Sequence, residues 1–574
     1  MLQSKNKQFY IQLLIIILIN VLASIVFFRI DLTTEKRHSL SETTKEIAQE
    51  IDDIVYVKVY LEGDFPSGFI QLRNACKSLL DELRQESAYI EYEFIDPNNI
   101  NSANNRQKLF DELSGLGLNP INLQIQENDR NSEKVIFPGA IMYYKSKSIA
   151  INFLQQQVGT HPDVVLNNSI ENIEYELSNG IQKILSSKKQ RIAFLEGNGQ
   201  LSEGYTADIF NSLGNNRNSL SEYYNVERCN IKEFEMDDAN EPSITKQLKR
   251  LKEYQAIIIA KPTIPFTDLD KFLIDQYIMN GGKVLWLIDG VGMDMDSLQG
   301  TQSYSTALPY DLNISDMLFK YGVRINANLI MDFQSDQIPV IVGYQGDIPQ
   351  QRLFPWPYHP LVTPKNDHPI SKHLDGIRLA FTSEIDTVKS VGIKKTSILK
   401  SSKYTKLVKS PHRVSINLLE NEPKLESYTS SEQDIAFLLE GEFNSVFQNR
   451  LTPKLNGVSF KEKSSETKMI VIGDGDIIKN HVSSSGNPFP LGYNHFSKAQ
   501  YNGNKDFIIN AVNYLLGKEN VIDIKSKDFT IRMLDKNRVS KEKLKWQLIN
   551  VITPLLIIFI SIGFLNFRRK NKYK

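Results

Sequence analysis

YQAIIIAKPTIPFTDLDKFLIDQYIMNGGKVLWLIDG, residues 254–290, contains two unbroken apolar runs separated by a segment with helical periodicity. The runs AIIIA (256–260) and KVLWLI (283–288) are typical of strands buried on both faces of a parallel sheet. Between them, residues 269–279 predict a helix that stops at Gly281-Gly282. A strand, a helix and a second strand of this kind predict an α/β fold built on a parallel sheet.

Strands and helices continue to alternate on both sides of this unit. Further strands are predicted at 191–195, 223–228 and 469–472, and further helices at 205–213, 243–251 and 506–516. The pattern predicts a doubly wound domain, similar to glutamine-amidotransferase-like and flavodoxin-like sheets. This domain is expected to span 190–340, to be interrupted by a β-rich inserted lobe at 341–465, and to return at 466–525.

Residues 32–155 predict a separate α/β domain. IVYVKVYL (54–61) alternates like a half-buried strand, and a helix, the strand IEYEF (90–94), another helix and short β-type segments follow. This order is thioredoxin-like, but the turn after the first strand reads Asp64-Phe65-Pro66-Ser67 rather than Cys-x-x-Cys. We therefore expect a thioredoxin-like fold without redox chemistry, followed by a linker helix at 168–187.

Both ends of the chain carry runs of membrane-spanning length. Residues 9–28 and 546–567 are uncharged, and ~20 residues of helix cross the hydrocarbon core. They predict two transmembrane helices that flank the ectodomain. The alternative for the first run is a cleaved signal peptide, but it is longer than an ordinary apolar signal region. The dense basic tail, residues 568–574, favours both termini in the cytoplasm.

Composition excludes several classes of protein. Lys plus Arg equals Asp plus Glu at 67 each, which argues against nucleic-acid binding. The two cysteines, Cys76 and Cys229, do not form a disulfide framework or a cysteine metal cage, and we expect buried free thiols. No cofactor is predicted.

The candidate ligand sites are few, and each has a simpler structural interpretation. Gly197-Asn198-Gly199 follows a strand and precedes a helix, where backbone N–H groups bind phosphates, but Ser202 replaces the last glycine of a dinucleotide motif. Asp474 and Asp476 follow another strand and are candidates for a cation site, although a calcium loop needs more oxygen ligands. In both places an ordinary glycine turn is the alternative.

The histidines of WPYHPLVTPKNDHPISKH (356–373) lack the spacing of a helical metal-binding pair and are interpreted as loop residues. The chain also lacks a Walker motif and a Gly-x-Ser-x-Gly elbow, and no thiol stands in a strand–helix elbow. No catalytic residue is therefore predicted.

Several stretches resemble a known family. They are RIDLTTEKRHSLSETTKEI after the first span, ISDMLFKYGVRINANLIMD (314–332), PLVTPKNDHPISKHLDGI (360–377), MIVIGDGDIIKN (469–480) and GNKDFIINAVNYLLG (503–517). In this order they resemble GldG, the gliding-associated auxiliary component of Bacteroidetes, and its wider relatives in an uncharacterised ABC-type transport system. The resemblance implies an inner-membrane protein with a periplasmic ectodomain, an ABC permease and a separate ATPase as partners, and a link to motility or envelope export.

Two functions of different classes follow. The first is a non-catalytic auxiliary subunit of an ABC transporter, supported by anchors at both ends. The second is a membrane-tethered carbohydrate-binding protein or degenerate enzyme that uses the Gly197 turn or the histidine-rich loop. A pocket with converging polar groups would favour the second function.

Overall fold

The computed structural model describes residues 40–572 with short gaps. The gaps are residues 101, 128–129, 155–161, 186–188, 214–217, 237–241, 299–303, 365–367, 373, 421–423, 451, 454–458 and 519–535. The chain divides into a globular unit, His38–Lys527, and a second unit that contains the C-terminal helix. The predicted first span, residues 9–28, lies outside the described residues. The expected mixed α/β fold is confirmed.

The N-terminal part of the globular unit is built on a four-stranded sheet. Its elements are α1 (Glu42–Gln49), β1 (Val55–Val59), α2 (Ser67–Glu86), β2 (Ile90–Phe94), α3 (Ala103–Leu116), β3 (Ile121–Glu127), β4 (Arg130–Ile136), β5 (Gly139–Tyr144), β6 (Lys147–Asn152) and α4 (Pro162–Leu185). The strand order is β2-β1-β5-β6, with β1 parallel to β2 and antiparallel to β5. Leu72, Cys76 and Leu80 of α2 pack on this sheet with the buried side of α4. The division into a thioredoxin-like domain stays a prediction.

The main sheet begins with alternating strands and helices. They are β7 (Arg191–Glu196), α5 (Glu203–Asn211), α6 (Leu220–Tyr223), β8 (Asn225–Asn230), α7 (Ile244–Lys252), β9 (Ala256–Ala260), α8 (Asp268–Met279) and β10 (Lys283–Leu287). Thr267 and Asp270 form a capping box that starts α8, since each side chain accepts from the other residue's backbone N–H. The helix ends before Gly281, whose φ of +91° suits glycine.

A region rich in short strands follows. It contains β11 (Val291–Gly292), β12 (Tyr304–Pro309), α9 (Ser315–Tyr321), β13 (Val323–Ile325), β14 (Asn328–Asp332), β15 (Ser335–Gln345), β16 (Ile348–Val362), β17 (Ile377–Arg378), β18 (Ile385–Thr387), β19 (Ile393–Lys400), β20 (Thr405–Lys409), β21 (His412–Ser415) and β22 (Asp434–Gly441). Most of these strands form two- and three-stranded sheets around a core that includes Trp356, Tyr358 and Phe381. The chain then adds β23 (Thr467–Ile472), β24 (Tyr493–Asn494), β25 (Ala499–Gln500) and α10 (Gly503–Leu515).

The main sheet has seven strands in the order β19-β22-β23-β10-β9-β7-β8. The five strands from β23 to β8 are parallel. Beyond them, β22 pairs antiparallel with β23, and β19 pairs antiparallel with β22. Two of these strands, β19 and β22, come from within residues 341–465, the segment predicted as an inserted β-rich lobe. Alternate residues of β9 join cores on opposite faces, one containing α5 and α10 and the other containing α7 and α8. Helices thus cover both faces of the parallel strands.

The C-terminal helix α11 (Lys536–Lys572) includes Lys545–Asn571, a 27-residue stretch long and apolar enough to cross a membrane. At 1.5 Å per residue this stretch is ~40 Å long. Pro554 lies within the helix, as the sequence predicted for this span.

Candidate functional site

The candidate site lies at the carboxyl edge of the parallel strands, where ligands bind in many doubly wound sheets. In the sheet, β8 lies on one side of β7, and β9, β10 and β23 lie on its other side. The loops after β7, β9, β10 and β23 therefore meet at one edge. The sequence candidates at Gly197 and Asp474 both lie in these loops.

The loop after β7 is a tight turn that the neighbouring loop covers. Gly197 and Gly199 have φ values of +115° and +70°, which side chains rarely adopt. The carbonyl oxygen of Asn198 accepts from the backbone N–H groups of Thr263 and Ile264, each at 3.0 Å. A Cβ atom added to Gly199 would lie 2.2 Å from the Thr263 hydroxyl oxygen. The turn thus packs against the loop after β9.

Asn198 is fully buried and ties this turn to α8. Its Nδ2 group donates to Asp270 Oδ2 at 3.2 Å and to the Pro265 carbonyl oxygen at 3.3 Å. Because Asp270 also forms the capping box of α8, the same carboxylate fixes the helix start and the turn. These contacts give Gly197-Asn198-Gly199 a structural role within the described residues.

Three carboxylates and a lysine converge at the ends of β9, β10 and β23. Lys261 directly follows β9, Asp289 lies two residues after β10, and Asp474 lies two residues after β23. Asp476 opens a short 3-10 turn, Asp476–Ile478. Each carboxylate offers an oxygen atom, and these three atoms lie within 4.8 Å of one another. We call Lys261, Asp289, Asp474 and Asp476 the edge cluster.

The carboxylates of the edge cluster accept backbone hydrogen bonds from the loops around them. Asp474 accepts from the N–H of Ala380 at 2.8 Å through Oδ2 and from that of Asp476 at 2.7 Å through Oδ1. Asp289 Oδ1 accepts from the N–H of Gly475 at 2.5 Å. These bonds replace the water that burial removes from the carboxylates, and they connect the ends of β10 and β23.

The amino group of Lys261 supplies the cation of the edge cluster. Its Nζ atom lies 3.3 Å from Asp289 Oδ2 and forms an ion pair with Asp476 Oδ2. A second amino group, that of Lys479, lies 3.5 Å from Asp476 Oδ1. Two ammonium groups therefore offset two of the three carboxylates.

The pKa values follow from burial and from this charge balance. Burial raises the pKa of Asp289 to about 6 against the opposing effect of Lys261. Burial, with Asp289 and Asp476 beside it, raises the pKa of Asp474 well above its usual range. Burial alone would raise the pKa of Asp476, but Lys261 and Lys479 lower it below its usual value. Burial also acts to lower the pKa of Lys261, yet its carboxylate partners hold this pKa above normal.

The edge cluster extends the Asp474 and Asp476 candidates from the sequence, and ammonium groups already pair with two of its three carboxylates. Asp289, Asp474 and Asp476 are the residues that would hold a metal ion, with oxygen ligands suited to Mg²⁺ or Ca²⁺. An ion between them would have to displace the ammonium group of Lys261, which already pairs with two of the three. The arrangement fits a structural clamp across three strand ends better than a cation-binding site.

Sequence reasoning missed Lys261 and Asp289 as members of this cluster. Both residues directly follow apolar runs that were identified as strands, so their positions at strand ends were visible. The missing information was that β23, which is remote from β10 in the sequence, lies next to it in the sheet.

The histidine-rich segment does not form a metal site among the described residues. His359 is buried, and its Nδ1 atom contacts the Arg378 guanidinium at 3.4 Å. Burial and this cation hold the pKa of His359 well below its usual value. His368 packs its ring against Tyr514 with centroids 5.0 Å apart, and His373 lies outside the described residues. The two described histidines therefore contact different groups.

Both cysteines are free and buried, as the sequence predicted. Burial raises the pKa of the Cys76 and Cys229 thiols, which disfavours the reactive thiolate. Cys229 packs in the core between the main sheet and α7 and α8, rather than at the carboxyl edge. Neither thiol belongs to the candidate site.

Comparisons with known proteins give the chain a family context. A family model described as an ABC-type uncharacterized transport system matches residues 189–511, more than half of the chain. A domain of unknown function matches residues 34–143. An uncharacterized protein of Borreliella burgdorferi (strain ATCC 35210 / DSM 4680 / CIP 102532 / B31) is 23% identical over 590 residues, covering 99% of each chain. Among solved structures, the mmIFT52 N-terminal domain covers 57% of this chain and 97% of that chain at 13% identity, and its TM-score of 0.30 is too low to bear on the fold.

Proposed function

We propose, because the chain belongs to the ABC-type uncharacterized transport system family, that it is a non-catalytic auxiliary subunit of an inner-membrane ABC transporter. Two features of the chain together support this proposal. The family model matches the main sheet and the β-rich region, and the same chain carries an apolar helix long enough to span a membrane. A permanently anchored protein remains beside its membrane partners, as a subunit must.

The geometry of the edge cluster supports a role without catalysis. A catalytic site at this edge would need a nucleophile or a general acid or base that reaches a bound substrate. In the edge cluster Asp289 and Asp476 pair with Lys261, Asp474 accepts two backbone hydrogen bonds, and Asn198 ties the neighbouring turn to α8. These features favour an auxiliary subunit over the alternative of a carbohydrate-binding protein or degenerate enzyme.

The proposed arrangement has two spans, residues 9–28 and 546–567, a periplasmic globular unit and cytoplasmic termini. Its partners would be an ABC permease, a separate ATPase subunit and the lipid bilayer. The resemblance to the gliding-associated component of Bacteroidetes extends the proposal to gliding motility or envelope export.

The partnership with the permease can be tested on the C-terminal span. Asn550, Thr553 and Ser561 fall on one side of α11, because their spacings lie near whole turns of the helix. Interhelical hydrogen bonds of such side chains contribute ~0.6 kcal/mol each, so losing all three should weaken association about 20-fold. The triple variant Asn550→Leu/Thr553→Val/Ser561→Ala should therefore recover much less permease in pull-downs.

The matched control changes the opposite side of the same helix with Ile552→Leu and Phe559→Leu. It should retain normal recovery of the permease, and both variants should resist carbonate extraction. A complete exchange of residues 546–567 for an unrelated apolar helix gives the limiting case. If that exchange leaves association intact, the span is a tether only and any partnership runs through the globular unit.

The proposed topology has a direct test because the native thiols are buried. Val391 is 85% exposed, so a Val391→Cys variant presents a single accessible thiol in the globular unit. A membrane-impermeant maleimide should label this variant in intact spheroplasts and should leave the parent chain unlabelled. Labelling that requires lysis would place the globular unit in the cytoplasm and reverse the topology.

A further inference from the structure

The C-terminal span carries basic residues at both of its ends. The N-terminal side carries Lys536, Arg538, Lys541, Lys543 and Lys545 against one acidic residue, Glu542. The C-terminal side carries Arg568, Arg569, Lys570, Lys572 and Lys574. Ordinary spans concentrate cations on the cytoplasmic side, because cationic loops are retained there. Whichever way this span inserts, a group of cations remains on the opposite side of the membrane.

The structure shows how the N-terminal group is presented. The helix α11 begins at Lys536 and continues without a break into the span, so the basic residues belong to the same helix as the apolar stretch. At 1.5 Å per residue, Lys541 lies ~6 Å and Lys536 ~13 Å along the helix from Lys545. The headgroup layer is ~5–7 Å thick on each side, and charges act over a further ~8 Å at physiological salt. All of these basic positions therefore lie within electrostatic reach of the headgroups.

Neighbouring residues mark the boundary between this extension and the apolar stretch. Trp546 is exposed on the helix, as expected for an interfacial anchor, and its Nε1 group donates to Glu542 Oε2 at 3.0 Å. The acidic side chain of the extension thus holds the indole at the start of the span. Lys543 and Lys545 are exposed.

We propose that the basic extension, residues 536–545, binds anionic phospholipid headgroups in the leaflet at the N-terminal end of the span. The inference rests on the proposed membrane span but not on the association with a permease. Charge complementarity identifies the partner, since Lys and Arg residues close to a membrane surface attract anionic lipids, and each cation raises the preference about fivefold. In the proposed topology this surface is the periplasmic leaflet. The extension would also fix the depth at which the span sits.

Trp546 provides a reporter at this position. The full-length protein is reconstituted in phosphatidylcholine vesicles that contain an equal fraction of either brominated phosphatidylglycerol or brominated phosphatidylcholine, and tryptophan quenching is measured. The other tryptophans, Trp286 and Trp356, are completely buried in the globular unit and give a constant background. The parent chain should be quenched far more by the brominated anionic lipid, with local enrichment of about fivefold or more.

The decisive variant is Lys536→Gln/Arg538→Gln/Lys541→Gln/Lys543→Gln, which removes four cations and leaves the span unchanged. It should lose the excess quenching by phosphatidylglycerol and should remain resistant to carbonate extraction. A matched variant neutralises four exposed lysines of the globular unit and should keep the stronger quenching by brominated phosphatidylglycerol. These lysines are Lys403, Lys406, Lys409 and Lys424.

Equal quenching of the parent chain by both brominated lipids would overturn the proposal. The proposal would also fail if the four-residue variant were still quenched more by brominated phosphatidylglycerol than by brominated phosphatidylcholine. If quenching shows no lipid preference but the variant loses the permease in pull-downs, the extension binds protein instead. The exchange of residues 546–567 leaves residues 536–545 unchanged, so failure of the proposed permease contact is a separate result.

Discussion

Replacing Lys261 with methionine tests whether the edge cluster is a structural clamp. Methionine has a similar length and no charge, so the substitution leaves the carboxylates of Asp289, Asp474 and Asp476 without their central cation. If the cluster is a clamp, the protein should be substantially less stable and should still reach the membrane. If Lys261 instead occupies a ligand-binding position, its removal should cost little stability.

The expected loss follows from the geometry. Two unit charges 3.3 Å apart, the separation of Lys261 Nζ and Asp289 Oδ2, attract by about 5 kcal/mol at an effective dielectric constant of 20. The cost of burying the ammonium group offsets part of this attraction, whereas Asp476 adds a second ion pair. Removing one partner of a buried pair costs about 3–5 kcal/mol, and we expect a loss in this range at pH 7.5.

Acidification should reduce that loss. Without the lysine, Asp289 and Asp476 lose a stabilising charge, so their pKa values rise and they take up protons as the pH falls. The difference in unfolding free energy between the parent and Lys261→Met should therefore shrink between pH 7.5 and pH 5.5. Urea unfolding of the full-length chain in mild detergent provides the assay, with fluorescence of the buried Trp286 and Trp356 as the signal.

Lys232 provides the matched control for this experiment. Its Nζ atom lies 3.5 Å from Asp270 Oδ2, but its side chain is 40% exposed. Lys232→Met should cost less than about 1 kcal/mol, since exposed ion pairs contribute little. A Lys261→Met variant that unfolds like this control, or whose loss is the same at both pH values, would refute the clamp.

Other changes probe the remaining features. Burial raises the pKa of Asp289 to about 6, whereas an aspartate in the unfolded chain loses its proton at about pH 4. The folded chain therefore binds one more proton between these pH values, and the free energy of unfolding should fall as the pH rises from about 4 to about 6. Asp289→Asn should flatten this part of the stability profile. Cys76→Ala/Cys229→Ala should keep permease recovery while losing about 1–2 kcal/mol of stability, and rapid labelling of the folded parent by a thiol reagent would contradict the buried assignment. Gly199→Ala should destabilise by more than about 1 kcal/mol because of its positive φ and the 2.2 Å contact, whereas Gly204→Ala, which meets nothing within 4 Å in α5, should be neutral or stabilising in the same melting experiment.

Local patterns predicted the elements of the main sheet well. The runs 256–260 and 283–288 are strands within one residue of the expected ends, and the helix between them ends at Met279 before Gly281-Gly282. A short window of sequence is enough to recognise these elements, because continuous apolar runs mark buried strands and glycines mark the end of a helix. The C-terminal span is equally local, because its length and lack of charge define it.

Neighbour relations across the sheet could not be predicted in the same way. The segment 434–441 has the apolar run of a buried strand, yet nothing local shows that it pairs antiparallel with β23 and extends the main sheet. The edge cluster depends on the same kind of relation, since Lys261, Asp289 and Asp474 approach only when three separate strands become neighbours. A pairing of this kind is set by packing of the whole core and not by periodicity.

The contacts at the carboxyl edge also bear on where the protein interacts with other molecules. A doubly wound sheet usually keeps this edge open, because backbone N–H groups and acidic or basic side chains there bind the ligand. In this chain the turn after β7 contacts the loop after β9, and Lys261 after β9 pairs with Asp289 and Asp476 after β10 and β23. These groups hold the loops together. The long apolar helix with its basic ends offers a different surface, one suited by length and composition to a membrane.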